Sequence, residues 1–140
     1  MQNSIPIWTL LGFTAWTLLV LIAGVGIRRW ALILTGRAAI TAFPPDSPHG
    51  SPAYRNAMRA HANCVENLPV YAAVVLSAAQ LGIRSPMLDL LAIVFIIARI
   101  LQSLVHLLLA QTPTVVALRF SFFLSQVICV LAMIGVIATG

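Results

Sequence analysis

The sequence predicts an all-α integral membrane protein, a four-helix bundle, and three observations predict it. The 140 residues (15.0 kDa) are 61% hydrophobic with a mean hydropathy of +1.01, and 8% are charged. A soluble domain carries about 25% charge, so this chain cannot clothe a water-facing surface of ordinary composition. Four apolar runs come close to the roughly 20 residues that a helix needs to cross a bilayer core of about 30 Å. Ser-Pro and Thr-Pro helix starts and one Pro/Gly-rich stretch separate those runs. A single unit over residues 1–140 follows. A soluble enzyme, a disordered tail and a disulfide scaffold are excluded.

The first helix is predicted over residues 5–27, IPIWTLLGFTAWTLLVLIAGVGI, which holds no charge. It lacks a basic leading region and a small-residue cleavage site, so it reads as a retained helix and not as a signal peptide. Trp8 suits the interface. A long loop over residues 28–51 follows, with Gly36-Arg37 and PPDSPHGSP marking irregular backbone. The second helix is predicted over residues 52–82; its first half is polar, its second half is apolar, and Pro69 is expected to bend it. Ser85 caps the third, over residues 86–110, with Pro86 in its first turn and Asp89 at the positive end of its dipole. The fourth, over residues 114–138, opens in the same way after Thr112 and Pro113.

Charge sets the orientation. Arg28, Arg29, Arg37, Arg55 and Arg59 flank the first loop and Arg119 lies near the third, while only Arg84 marks the opposite side. The positive-inside rule then places both termini outside the cytoplasm. With no signal or retention motif, a bacterial inner membrane is expected. The net charge of +5 comes from eight arginines against Asp46, Glu66 and Asp89. Because the arginines are scattered among apolar runs, no nucleic-acid partner is expected. Cys64 and Cys129 form no CxxC pair and read as buried apolar thiols, and the histidines and cysteines show no metal-ligand spacing.

Several polar residues fall where polarity is expensive: a charged side chain at mid-bilayer costs about 2.5–3.5 kcal/mol on insertion scales. Helical spacing sorts them into stripes. Arg59, Asn63 and Glu66 stand at i, i+4 and i+7 on the second helix, with Arg55 extending the row. Arg99, Gln102 and His106 stand at i, i+3 and i+7 on the third, with Ser103 close by, and Arg119 and Gln126 at i and i+7 on the fourth. Two readings are open. The stripes are internal glue, with Glu66 paired to Arg99 or Arg59 and amides bonding between helices. Alternatively, three arginines facing one carboxylate await an anionic ligand, since an unpaired buried guanidinium is costly. A ligand with two carboxylates and one ammonium suits that balance. Glutathione has this pattern, other polycarboxylates fit as well, and nearby arginine favours its thiolate.

Arg59-Ala-His61-x-Asn63-x-x-Glu66-Asn-x-Pro69 resembles the second-helix signature of the MAPEG family, the membrane-associated proteins of eicosanoid and glutathione metabolism. The segment from Arg99 through Gln102 and Ser103 to His106 is similar to the third helix of its bacterial members, and Arg119 through Gln126 to the start of their fourth. The resemblance implies a homotrimer that binds glutathione between neighbouring protomers at the cytoplasmic side. It implies that Arg59, Asn63 and Glu66 hold glutathione, Glu66 through the γ-glutamyl amine. It implies that Arg119 stabilises the thiolate as the catalytic residue, and that Arg28 or Arg29 reaches in from the first helix. Arg99, Gln102 and His106 complete the expected binding set, the last two standing where eukaryotic members carry tyrosines. Ala62 stands where some of those members have a second arginine, so eicosanoid specificity is not implied.

The expected activity is a glutathione transferase or peroxidase acting on lipophilic electrophiles or hydroperoxides, with membrane lipid, that substrate and further copies of the chain as partners. A non-catalytic glutathione- or lipid-binding scaffold is the alternative. A small proton-coupled exporter fits less well, because the first helix holds no acid. Of the remaining residues, His61 reads as a helix–helix or loop hydrogen-bond partner and His49 as a solvated loop residue. Trp16, Phe95, Phe122 and Phe123 read as packing or lipid-facing rings, and Tyr54 and Tyr71 as interfacial.

Overall fold

The computed structural model describes residues 4–44 and 49–140; residues 45–48, with Asp46 among them, lie outside the described residues. The regular structure is helical throughout: α1 (Ile5–Leu34), α2 (Pro52–Gln80), α3 (Pro86–Leu108) and α4 (Pro113–Thr139). Each is long and apolar enough to cross a membrane. Large apolar side chains such as Trp8, Leu19, Leu76, Ile97 and Leu131 cover the outside of the bundle. That surface suits lipid and not water, as expected of a multi-pass membrane protein.

Two helices start on the caps that the sequence predicts, Ser85 and Thr112, and α2 starts on Ser51 in the same way. Ser51, Ser85 and Thr112 each offer a side-chain oxygen to a backbone N–H of the first turn, at 3.3, 3.2 and 3.3 Å, with Pro52, Pro86 and Pro113 following. The helical run of α2 continues through Pro69.

α1 departs from expectation. It does not stop at Ile27 but continues as IRRWALIL to Leu34. The stop lies at Gly36, which takes φ +68. Its N–H bonds the Ile33 carbonyl at 3.0 Å, and Arg37 N–H bonds the Leu32 carbonyl at 2.9 Å. This is a Schellman cap, which needs a left-handed residue and so favours glycine. Arg28 and Arg29 therefore ride on a helix and not in a loop. The same cap at Gly82 closes α2 at Gln80.

A π-helical turn, Val20–Gly26, interrupts α1. There α1 and α2 come into close contact: a Cβ added to Gly24 would lie 2.9 Å from the Ala57 Cβ. Val25, Tyr54 and Ala57 bury themselves around this crossing.

Aromatic rings form the centre of the main core. Tyr71 and Phe95 stack at 3.9 Å with their planes 2° apart, and Phe13 tilts against both at 6.2 and 5.7 Å. Tyr71 is thus fully buried and not interfacial. Its hydroxyl is satisfied 2.7 Å from the Thr9 hydroxyl, which lets a phenol sit in an apolar interior. Tyr54 is buried as well, with its hydroxyl taken by Arg29.

Candidate functional site

The polar residues that the sequence singled out gather at one end of the bundle. They lie from the start to the middle of α2, in the second half of α3 and from the start to the middle of α4, on the side of the connection from α1 to α2 and the one from α3 to α4. The antiparallel sequence of spans makes this unavoidable, since successive helices bring alternate ends to the same side.

Arg99 anchors the interior. It is wholly buried, and its Nη1 donates to the Asn63 side-chain oxygen of α2. Its guanidinium lies 5.4 Å from the centre of the Phe13 ring, within cation–π range. Its Nε and Nη2 are buried with no hydrogen-bond partner among the described residues. The Cys64 sulfur neighbours this guanidinium and stands 3.5 Å from the Ser103 hydroxyl, which itself donates to the Arg99 carbonyl at 2.9 Å. Cys64 is buried in the main apolar core as expected, with the Ser103 hydroxyl and the Arg99 guanidinium as polar neighbours of its sulfur.

An amide ladder ties α3 to α4. Gln126 Nε2 donates to Gln102 Oε1 at 2.9 Å and to the Phe122 carbonyl at 2.9 Å, and Gln102 Nε2 donates to the Arg119 carbonyl at 3.1 Å. Both glutamines are buried. Gln102 thus fixes the backbone at Arg119.

Arg119 and His106 face each other across α3 and α4, with Arg119 Nη1 3.3 Å from His106 Nδ1. Arginine only donates, so Nδ1 is the accepting nitrogen of the ring. Both side chains are half-buried, and Arg119 Nε is without a partner among the described residues. Arg59 and Arg99 also lie close enough for their charges to act on His106.

The α2 stripe divides. Asn63 turns inward to Arg99, whereas Arg59 and Glu66 stay exposed on the outer face with Arg55. Among the described residues Glu66 has no hydrogen-bond or ion-pair partner, so the internal pairing of Glu66 with Arg99 or Arg59 does not form. The reason is angular. Arg59 and Glu66 sit almost in line along α2, and Asn63 lies nearest the α3 side of that line. A single bundle therefore does not bring all the predicted residues into one crevice.

Arg28 is exposed, its guanidinium 5.8 Å from the centre of the Tyr54 ring. Arg29 is more enclosed: it donates through Nε to the Tyr54 hydroxyl and covers Phe43 at 5.3 Å. Of the two, Arg28 is the one left open to an incoming ligand. His61 is half-buried and its Nδ1 makes no hydrogen bond among the described residues, so the expected bond does not form at that atom. His49 packs edge-on against Tyr54 at 5.4 Å instead of standing apart in solvent.

Sequence reasoning assigned no site role to Phe13, Cys64 and Tyr54, each of which holds an arginine or a neighbour of one. Phe13 is legible afterwards as a ring that shields the buried Arg99 guanidinium and Tyr54 as one that packs on Arg28 and Arg29, but no spacing rule in one sequence predicts contacts between different helices. Among the described residues no cluster of His, Cys, Asp and Glu could hold a metal ion.

No curated protein and no solved structure matches the chain. A family model matches residues 6–139, nearly the whole chain and all four helices. Buried Arg99, the α2 stripe and the α4 arginine all fall within that match, and by it this chain belongs to the MAPEG family.

Proposed function

We propose that the protein is a glutathione-dependent transferase or peroxidase that uses a glutathione thiolate against lipophilic electrophiles or hydroperoxides. One observation carries the reading: buried guanidinium nitrogens of Arg99 and Arg119 are unpartnered among the described residues, and Arg59 and Glu66 face outward unpaired. Such surplus positive charge in an apolar bundle is costly until an anion neutralises it. Membership of a family that includes glutathione transferases supports the choice of anion.

The roles divide by exposure. Arg59 and Arg28, both exposed, take carboxylates through charge-assisted bonds. Glu66 takes the γ-glutamyl ammonium. Arg119 stabilises the sulfur anion, helped by the positive end of the α4 dipole. Arg99 acts through Asn63 as a positioning residue, because it reaches no surface. His106 and Gln102 orient Arg119 from the α3 side. The thiolate adds to the electrophilic carbon of a lipophilic substrate and displaces its leaving group as an anion.

The outward Arg59 and Glu66 also favour a homotrimer, in which a neighbouring copy covers this face of α2 and closes the ligand between protomers. A carboxylate left facing lipid would cost about 2.5–3.5 kcal/mol at mid-bilayer.

Titration of the purified protein with glutathione tests the reading. Thiolate absorbance should grow with occupancy, and a chlorinated aromatic should be conjugated. Arg59→Ala removes a charge-assisted bond of about 1.5–3 kcal/mol, so affinity should fall about tenfold or more. No thiolate signal and no turnover, or an unchanged affinity in Arg59→Ala, would overturn the assignment.

A further inference from the structure

The last two turns of α1 are built inside out. Ile27, Trp30, Ala31 and Leu34 stand at i, i+3, i+4 and i+7, so they share one face. A helix end beyond the membrane ordinarily turns such a face to the protein. Here all four residues are exposed, Trp30 at 56% and Leu34 at 80%. Arg29 instead turns inward, onto the Tyr54 hydroxyl. Ile40, in the connection that follows, is exposed as well.

Length places this face at the edge of the bilayer. α1 runs for 30 residues, about 45 Å at 1.5 Å per residue, against a hydrocarbon core of about 30 Å. Its uncharged stretch ends at Ile27, so the excess length falls mainly on Arg28 to Leu34. An outward Trp at that depth is an interfacial anchor, and a helix with such a face beds into the boundary between headgroups and acyl chains.

Charge then selects the lipid. The left-handed turn at Gly36 folds the Arg37 N–H back onto the Leu32 carbonyl, which holds Arg37 beside the end of the stripe. Arg55 follows Tyr54, whose ring lies 5.8 Å from the guanidiniums of both Arg28 and Arg29, so it stands beside the same end of α1. Arg37 and Arg55 are exposed, and neither has an ion-pair partner among the described residues. Arg55 also sits in the first turn of α2, where the helix dipole disfavours a cation until an anion joins it. Glu66 lies about three turns further along α2, and Asp89 opens α3 at the other end of the bundle. The remaining acid, Asp46, is one charge against two.

We propose that the end of α1 selects acidic phospholipid, with Trp30, Leu34 and Ile40 among the upper acyl chains and Arg37 and Arg55 on headgroup phosphates. Phosphatidylglycerol leaves its phosphate charge to the guanidiniums, whereas phosphatidylcholine brings an ammonium that competes for it. A basic side chain near an anionic surface is worth about fivefold in lipid preference. Neither arginine belongs to the proposed glutathione site, so this inference does not rest on that chemistry.

The test reads the lipid beside Trp30 directly. Trp8→Phe with Trp16→Phe leaves Trp30 as the one tryptophan. This protein is placed in phosphatidylcholine vesicles in which a minority of the lipid is brominated on its acyl chains, as phosphatidylglycerol or as phosphatidylcholine. Bromine quenches an indole that it touches. The acidic lipid should quench Trp30 with a relative association constant of about five or more. Salt at about 0.5 M, or Arg37→Gln with Arg55→Gln, should bring that constant close to unity. The unmodified protein in micelles gives a second readout: native mass spectrometry should show phosphatidylglycerol retained over phosphatidylcholine, and the double arginine variant should lose the preference. Equal quenching by the two brominated lipids, or a preference that survives loss of both arginines, overturns the proposal. Quenching by neither lipid puts Trp30 under a neighbouring copy and overturns it too. Glutathione binding is measured separately, so the two readings fail separately.

Discussion

Asn63→Ala should destabilise the fold more than removal of the arginine that Asn63 serves. Arg99 is wholly buried, and of its guanidinium nitrogens only Nη1 has a partner, the Asn63 oxygen; Nε and Nη2 have none among the described residues. Deleting Asn63 removes a hydrogen bond to a charged group, about 1.5–3 kcal/mol, and leaves a guanidinium without that acceptor in an apolar interior. Removing one partner of a buried charged pair has cost about 3–5 kcal/mol elsewhere. A loss of about 2–4 kcal/mol is expected. Arg99→Met removes the charge itself. It forfeits the cation–π contact with Phe13, about 0.5–2 kcal/mol, and leaves a half-buried Asn63 that can turn outward. The single arginine variant should therefore be the milder, and Asn63→Ala added to it should cost little more. Unfolding by titration with sodium dodecyl sulfate in mixed micelles, followed by tryptophan fluorescence, measures all three. Strict additivity of the two substitutions, or an Asn63→Ala cost below about 0.5 kcal/mol, would refute the claim that Asn63 is the main acceptor for Arg99.

Other expectations follow from single contacts. Gly24→Ala places a methyl group 2.9 Å from the Ala57 Cβ, so α1 and α2 must part at a cost of about 1–3 kcal/mol. Ala57→Gly in the same chain should restore most of that in the same unfolding titration. Tyr71→Phe keeps the stack on Phe95 and loses only the Thr9 bond, so it should cost about 0.5–1.5 kcal/mol, and Thr9→Val added to it should cost only the remaining Thr9 bond to the Pro6 carbonyl, about 0.5–1.5 kcal/mol more. On the proposed chemistry, Arg119→Ala should lower the conjugation rate on the order of 10²-fold while glutathione affinity, measured by titration, falls far less. Turnover at the wild-type rate would remove Arg119 from the reacting centre.

Much of the fold was legible because membrane spans obey a coarse rule. Length and apolarity located four helices without reference to one another, and Ser85-Pro86 and Thr112-Pro113 marked the starts of two of them. The end of α1 was missed for a local reason: Gly36 reads equally as loop punctuation and as a helix stop, and hydropathy fades at Arg28 before the helix does. The π turn at Val20–Gly26 left no trace in the spacing of apolar residues, since that stretch is apolar on every face. At the candidate site, stripes could be read within each helix but not the rotation of one helix against the next. The sequence therefore put Arg59, Asn63 and Glu66 together and could not say that Asn63 alone turns inward.

That division has a physical consequence for how the polar end works. Side chains inside the bundle form closed chains: Arg99 to Asn63, Gln126 to Gln102 to the Arg119 backbone, Arg119 to His106. Each link joins two helices, so the chains fix the relative rotation of α2, α3 and α4. This is the use to which buried polar contacts in an apolar bundle are best suited, because the hydrophobic effect cannot specify rotation in lipid. Arg59 and Glu66 take no part in any chain and stay exposed. A pair of opposite charges one helical face wide, held on a rigid α2 and left unused by its own protomer, is complementary to a zwitterion with acid and amine groups of its own. The inner chains then set where the outer charges stand. On the proposed chemistry, a ligand read by Arg59 and Glu66 thereby meets an Arg119 whose position the bundle has already decided.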